Sequence, residues 1–160
     1  MKKKISIIIP ILNEKNNILK LVSELKKKLF GVYYEVIFVD DNSDDGSIKV
    51  LNKIKSIDKR FNFILHKGKR DLTQSCFQGI KKAKHDLIVI MDGDLQHNPI
   101  YIKTLLKKFL SDKSDLVIAS RDFEKTQTKS LSLIRITFSR TLIFFLKLIF
   151  GKNYIDPMSG

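Results

Sequence analysis

The feature that most constrains this chain is an alternation of short, unbroken apolar runs with stretches of helical spacing. Ile5 to Ile9 is an apolar run closed by Pro10, and Glu35 to Val39, Phe61 to Leu65, Leu87 to Met91 and Asp115 to Ala119 are further candidate strands. Between the first two runs, apolar residues fall at Ile18, Leu21, Val22, Leu25 and Leu29, with lysines interspersed and Gly31 as a stop. A second helix is expected up to about Ile57, a third from Leu72 to Lys84, and a fourth opened by Pro99 and carrying Ile102, Leu105, Leu106, Phe109 and Leu110. Strands that are apolar on both faces and alternate with helices predict an α/β fold. Its central sheet is mostly parallel, with helices on both faces. In such sheets ligands bind beyond the carboxyl ends of the strands.

Composition narrows the partners. The 160 residues are enough for one domain, without low-complexity tracts, internal repeats or a Pro/Ser-rich linker. Lys and Arg number 30 against 17 Asp and Glu, giving a net charge of +13. Such an excess suits nucleic acid, acidic lipid headgroups or a phosphorylated substrate; a solvated lysine-rich surface is the plain alternative. Cys76 is the single cysteine, so no intrachain disulfide can form, which fits a reducing cytosol. The basic start and apolar run of MKKKISIIIP are too short for a secretory signal and are followed at once by Asn13 and Glu14.

Three polar clusters follow predicted strands: Asn13-Glu14, Asp40-Asp41-Asn42 and Asp92-Gly93-Asp94. In extended backbone Asp92, Asp94 and Gln96 would share one face and offer hard oxygen ligands to Mg2+ or Mn2+. Such an ion keeps several waters and is completed by substrate phosphates; a polar turn is the alternative. A carboxylate at Asp40 or Asp41 can accept from ribose hydroxyls or a base N–H. Ser43 or Asp44 could equally serve as a helix cap there, and Glu14 could cap the first helix.

Taken together, a strand followed by PxxNE, a second followed by DDNSxDG and a fourth followed by MDGDLQHNP resemble the family-two inverting glycosyltransferases. Within them the chain is similar to the dolichyl- or polyprenyl-phosphate sugar transferases; Ala119-Ser120-Arg121 and the closing Asp156-Pro157-Met158-Ser159-Gly160 fit that subgroup. The resemblance implies a Rossmann-like nucleotide-sugar fold of GT-A type. It places Pro10, Asn13, Glu14, Asp40 and Asp41 in the donor pocket. Asp92, Asp94 and Gln96 fall at the metal and diphosphate site, and Arg121, Arg135 and Ser139 beside an acceptor phosphate. The catalytic set that the resemblance implies is Asp92, Asp94 and Arg121. Leu12 stands where relatives often have Tyr, Asp71-Leu72-Thr73 where they often have Gly-Leu-Gly, and the chain stops at Gly160 where relatives continue. The expected layout is a nucleotide-sugar-binding core, residues 1–122, and an incomplete acceptor-side, membrane-interface segment, residues 123–160, truncated at its C-terminus.

The implied reaction moves a mannose- or glucose-type hexose from a GDP- or UDP-sugar to a polyprenyl phosphate, with inversion. Its setting is cytoplasmic, at the inner face of the membrane, in cell-envelope glycan or protein glycosylation. Nucleic acid is not an expected partner. A phosphate monoester has a second pKa of about 6 and needs no protein base to attack the anomeric carbon. Rival readings are a nucleotidyltransferase, which would normally carry a Gly-rich loop after the first strand, a family-two enzyme with a hydroxyl acceptor, and a non-catalytic basic membrane-surface module.

Residues 131–151, LSLIRITFSRTLIFFLKLIFG, have the length of a membrane span, but Arg135, Arg140 and Lys147 interrupt them. Each charge at mid-bilayer costs roughly 2.5–3.5 kcal/mol on insertion scales, so an interfacial helix or a core helix is favoured over a spanning one. Leu131, Ile134, Phe138, Leu142, Phe145, Leu146 and Ile149 recur at three- and four-residue steps, while Arg135 and Ser139 share a face. The interfacial reading predicts that the chain floats with anionic liposomes and that removing residues 131–160 abolishes flotation. The full chain and the shortened one both remaining with the soluble fraction would exclude it.

Overall fold

The computed structural model describes residues 3–119. Four parallel strands form the sheet: β1 (Lys4–Ile11), β2 (Tyr33–Asp40), β3 (Phe61–Leu65) and β4 (Leu87–Ile90), in the order β3-β2-β1-β4. The helices are α1 (Lys15–Lys28), α2 (Ser47–Ile57), α3 (Leu72–Lys82) and α4 (Tyr101–Ser111). Most of them fall where the spacing of apolar residues places them. The sheet, α1 to α3 and the first turns of α4 belong to one compact unit ending at Leu106. The boundary expected near residue 122 lies outside the described residues.

Strand alternation sorts the core into two faces. Ile5, Ile7, Ile9 and Ile11 of β1, with Tyr34, Val36 and Phe38 of β2, pack with Ile18, Leu21, Val22 and Leu25 of α1, Leu51 and Ile54 of α2 and Ile102 of α4. Ile8, Ile37 and Val39 face the other way, and there α3 lies so close that Gly79 touches the sheet. The two faces explain why the strand sequences are apolar throughout rather than alternating.

Pro10 lies inside a central strand, where proline normally costs a ladder bond. The β1–β4 ladder ends with the Met91 amide donating to the Ile8 carbonyl, so residue 8 faces β4 and residue 10 would face the same way. β4 stops at Ile90, and the missing N–H therefore has no ladder partner to lose. The proline marks where β1 runs past the end of β4 while still paired with β2, beside the site.

Several local expectations are corrected. Asp115 to Ala119 is irregular, with Leu116 and Ile118 more than 70 % exposed; among the described residues this apolar run has no ladder to join, and alternation alone does not make a strand. α1 ends at Lys28 and is capped by the Leu29 amide on the Leu25 carbonyl, ahead of Gly31. α3 stops at Lys82, and Pro99 occupies the turn before α4. No helix among the described residues is long and apolar enough to cross a membrane.

Gly79 fixes the closeness of α3 to the sheet. A Cβ there would lie 2.3 Å from Ile8 Cγ2 and 3.1 Å from Val39 Cγ2. Gly79→Ala is therefore expected to destabilise by about 1–3 kcal/mol despite alanine's better helix propensity. A urea midpoint equal to or above wild type would show that α3 can move off the sheet at no cost.

Candidate active site at the carboxyl edge of the sheet

The three acidic clusters leave the sheet at one edge, and the chain ties them together. The β1–β2 register pairs Ile11 with Asp40, which brings the loops after the two strands side by side. The Asn13 amide donates to Ser43 Oγ at 2.9 Å, the Asp44 amide to Asn13 Oδ1 at 3.0 Å, and the Lys15 amide to Asp45 Oδ2 at 2.8 Å. Asn13 adopts a left-handed backbone, φ 59°, which asparagine tolerates better than most residues. Ser43 and Asp44 thus serve this junction rather than a helix cap. Gly46 takes the cap position of α2 in the left-handed region, and Asp45 Oδ1 accepts from both Ser47 N and Ser47 Oγ. Glu14 heads α1 without capping it; its carboxylate accepts from Asn17 Nδ2.

The third cluster packs against the end of β1. Gly93 lies so close that a Cβ would be 2.7 Å from Ile11 Cγ2 and 3.7 Å from the Pro10 carbonyl. Asp92 and Asp94 therefore flank the point where β1 ends, between β2 on one side and β4 on the other. Chain order reverses at this point, since β2 and β3 lie to one side of β1 and β4 to the other. That is the switch point at which parallel sheets open a ligand crevice.

Asp92, Asp94 and Gln96 do not lie along an extended strand. Leu95 is left-handed at φ 67° and packs against the core, and the Gln96 amide folds back onto Asp94 Oδ1 at 2.9 Å. The backbone bends where the partly buried Leu95 side chain anchors it, and Gln96 itself is exposed. Asp92 Oδ2 lies 3.4 Å from His97 Nδ1. No group of three or more His, Cys, Asp or Glu side chains gathers among the described residues. The donor set fits a hard divalent cation held by one or two carboxylates, with water and phosphate oxygens completing its shell.

Burial separates structural from available carboxylates. Glu35, at the amino end of the sheet, is 6 % exposed and satisfied: Ser6 Oγ and the Lys84 amide both donate to its Oε1 at 2.7 Å, and Lys84 Nζ lies 3.7 Å from Oε2. Asp40 and Asp41, at the carboxyl end, are 1 % and 7 % exposed. Asp40 Oδ1 accepts from the Ser43 amide and Asp41 Oδ2 from the Asp71 amide, both at 2.9 Å. Their other oxygens, Asp40 Oδ2 and Asp41 Oδ1, are buried without a partner. An unsatisfied buried polar group costs about 1–3 kcal/mol, more when charged, so these two oxygens mark places for external donors.

The spacing of residues gave no sign of the groups behind Asp41. His66, at the end of β3, lies with Nε2 3.9 Å from Asp41 Oδ1 and 3.1 Å from the Lys69 carbonyl, while Gln78 Nε2 meets its Nδ1 at 2.7 Å. Arg70 donates to the Asn42 carbonyl at 3.1 Å. Asp71, where relatives were expected to have glycine, caps α3 by accepting from the Gln74 amide. Cys76 on α3 senses Asp92: burial first, then that carboxylate, push its thiol above the ordinary value. Pro10 is buried in β1. Arg121, Arg135 and Ser139 lie outside the described residues.

Residues 6–158 match the family described as Glycosyl transferase family 2. The chain belongs to that family. It is 30 % identical to a dolichol-phosphate mannosyltransferase of Pyrococcus furiosus over 98 % of its own length and 45 % of the relative's. It is also 30 % identical to the enzyme of that name from Mycosarcoma maydis, over 97 % of this chain and 54 % of that one. The chain thus spans about half the length of the curated relatives it matches. Among solved structures it is similar to S. aureus TarS residues 1–349, with a TM-score of 0.58, 19 % identity and coverage of 77 % of this chain and 40 % of that one. It is also similar to the mannosyltransferase PcManGT of Pyrobaculum calidifontis in complex with GDP-Man and Mn2+, with a TM-score of 0.53, 18 % identity and coverage of 59 % and 28 %. These likenesses establish a GT-A-like α/β fold.

Asp40→Asn keeps the oxygen that accepts from Ser43 while removing the charge from the unpartnered one. The expected result is near-normal thermal stability with affinity for GDP or UDP about tenfold weaker, as for a lost charge-assisted hydrogen bond. Calorimetry with both nucleotides checks it, and unchanged affinity for whichever binds would reduce Asp40 to a turn residue.

Proposed function

We propose that this chain is the donor-binding part of an inverting transferase that moves a hexose from a GDP- or UDP-sugar to a polyprenyl phosphate at the cytoplasmic face of the membrane. The observation that carries this reading is the union of three acidic strand ends at one switch point, one of them with two buried carboxylate oxygens lacking donors. The relatives named dolichol-phosphate mannosyltransferase support a polyprenyl phosphate acceptor and a mannose-type sugar. The PcManGT complex supports a nucleotide-sugar donor and a divalent ion.

In this reading Pro10, Asn13, Glu14, Asp40 and Asp41 surround the nucleoside, whose hydroxyl and N–H groups supply the donors that Asp40 Oδ2 and Asp41 Oδ1 lack. Asp92 and Asp94, with Gln96, hold Mg2+ or Mn2+, which when bound neutralises charge on the departing nucleoside diphosphate. Arg121, with Arg135 and Ser139, clamps the acceptor phosphate through charge-assisted hydrogen bonds. The acceptor is already an anion near neutral pH, so the protein need only gather it opposite the donor and exclude water. Displacement in line then inverts the anomeric centre. Residues 1–122 act as the nucleotide-sugar core and residues 123–160 as the acceptor side, lying at the membrane interface.

Asp92→Asn and Asp94→Asn are each expected to lower transfer about 100-fold or more with the fold intact. Radiolabelled transfer from GDP- and UDP-sugars to a short polyprenyl phosphate, with Mg2+ or Mn2+, measures this. Near-normal turnover by either purified variant removes the metal assignment. No transfer by the wild-type chain, extended to the length of its relatives, removes the acceptor.

A further inference from the structure

We propose that His66, oriented by Gln78, is a positioning residue for the donor pocket: it anchors the loop of residues 67–71 so that the Asp71 amide holds Asp41 with one carboxylate oxygen free for the nucleotide. The inference rests on the donor-site reading above and adds to it two residues outside the acidic clusters.

The loop needs an internal anchor. It joins β3 to α3, its side chains are exposed, and Gly68 sits at φ +134°, which only glycine adopts at ease. Yet Asp71 at its end supplies the one donor that Asp41 Oδ2 receives, at 2.9 Å. The His66 ring is that anchor. The residue is 9 % exposed, is fixed at its backbone by its amide on the Asp40 carbonyl at 2.8 Å, and meets the Lys69 carbonyl in mid-loop at 3.1 Å. Arg70 adds a surface tether, its guanidinium donating to the Asn42 carbonyl.

Gln78 decides which way the ring works. A carbonyl only accepts, so Nε2 of the neutral ring must carry the proton that meets Lys69. The Gln78 amide donates into Nδ1 at 2.7 Å and holds that tautomer. With the proton on Nδ1 instead, the Nε2 lone pair would face the Lys69 carbonyl at 3.1 Å and Asp41 Oδ1 at 3.9 Å, both negative. The loop would be pushed outward and the Asp71 amide drawn off Asp41. Thus Gln78 sets the tautomer, His66 sets the loop, the loop sets Asp41, and Asp41 meets the ligand.

Calorimetry of the full chain with GDP and with UDP, each with Mn2+, tests this on His66→Leu, His66→Gln and Gln78→Leu, with thermal melting as the fold control. The leucine variant at His66 should bind the preferred nucleotide about tenfold more weakly, as for one lost hydrogen bond and a misplaced charge. His66→Gln, which can still offer an N–H toward Lys69, should recover to within about threefold of wild type. Gln78→Leu should also weaken binding. A folded His66→Leu variant with wild-type affinity overturns the proposal, as does a glutamine variant no better than leucine. Should His66→Leu fail to fold, Gln78→Leu decides alone, and wild-type affinity there overturns the chain of positioning. Wild-type protein that binds neither nucleotide removes the donor-site reading and this inference together, whereas binding by wild type and variants alike removes only the inference.

Discussion

The ladder between β1 and β2 is the constraint from which the rest of the site follows. Eight consecutive pairs run from Lys4 opposite Tyr33 to Ile11 opposite Asp40, in the middle of a sheet buried on both faces. A slip of one residue would turn Ile7, Ile9, Val36 and Phe38 to the wrong face, so the register is strongly fixed. That register puts Asn13 within reach of Ser43 and Asp44, and Lys15 within reach of Asp45. The loop bonds are therefore consequences of core packing. The Gly93 loop then takes the space left where β1 ends, against Ile11 and Pro10.

Two kinds of buried carboxylate lie at opposite ends of this ladder and have different fates. Glu35 closes the amino end, binding Ser6 across the ladder and the Lys84 amide below α3. Its donors all come from within the protein, and it fixes the chain between α3 and β4. Asp40 and Asp41 also accept backbone amides, but each keeps an oxygen out of water with no donor. Burying an unpaired charge is costly wherever it occurs. A fold that tolerates this at the switch point, and avoids it at the other end, concentrates its strain where a ligand can relieve it. The left-handed Asn13 and Leu95 belong to the same pattern, since departures from ordinary backbone geometry cluster at such sites.

The sheet was legible in the sequence because burial on both faces leaves continuous apolar runs, and the acidic clusters were legible because they interrupt those runs abruptly. What was not legible depends on contacts between distant residues. His66 and Gln78 lie 12 residues apart, and only the packing of α3 against the sheet makes them partners. The alternation of Asp92, Asp94 and Gln96 suggested one face of an extended segment, but Leu95, left-handed and packed against the core, bends the backbone. The cap of α2 was sought at Ser43 or Asp44, whereas the junction with Asn13 takes both and leaves Asp45 to serve Ser47. Asp115 to Ala119 failed as a strand for the converse reason: the local pattern was right, but among the described residues no ladder receives it.

The electrostatics of the edge bear on what can bind there. The chain carries a net charge of +13, yet Glu14, Asp40, Asp41, Asp44, Asp45, Asp71, Asp92 and Asp94 all lie at or beside the carboxyl ends of the strands. A diphosphate brought to Asp92 and Asp94 meets like charge, and two unit charges 4 Å apart at an effective dielectric of 20 repel by about 4 kcal/mol. Binding an anionic donor at this edge therefore requires positive charge between carboxylate and phosphate. Arg70 is turned toward the Asn42 carbonyl and Asp44, and no lysine or arginine pairs with Asp92 or Asp94 among the described residues. In the proposed reaction a divalent cation bound with the donor would supply that charge. An acidic edge in a strongly basic chain thus receives an anion only in company with positive charge.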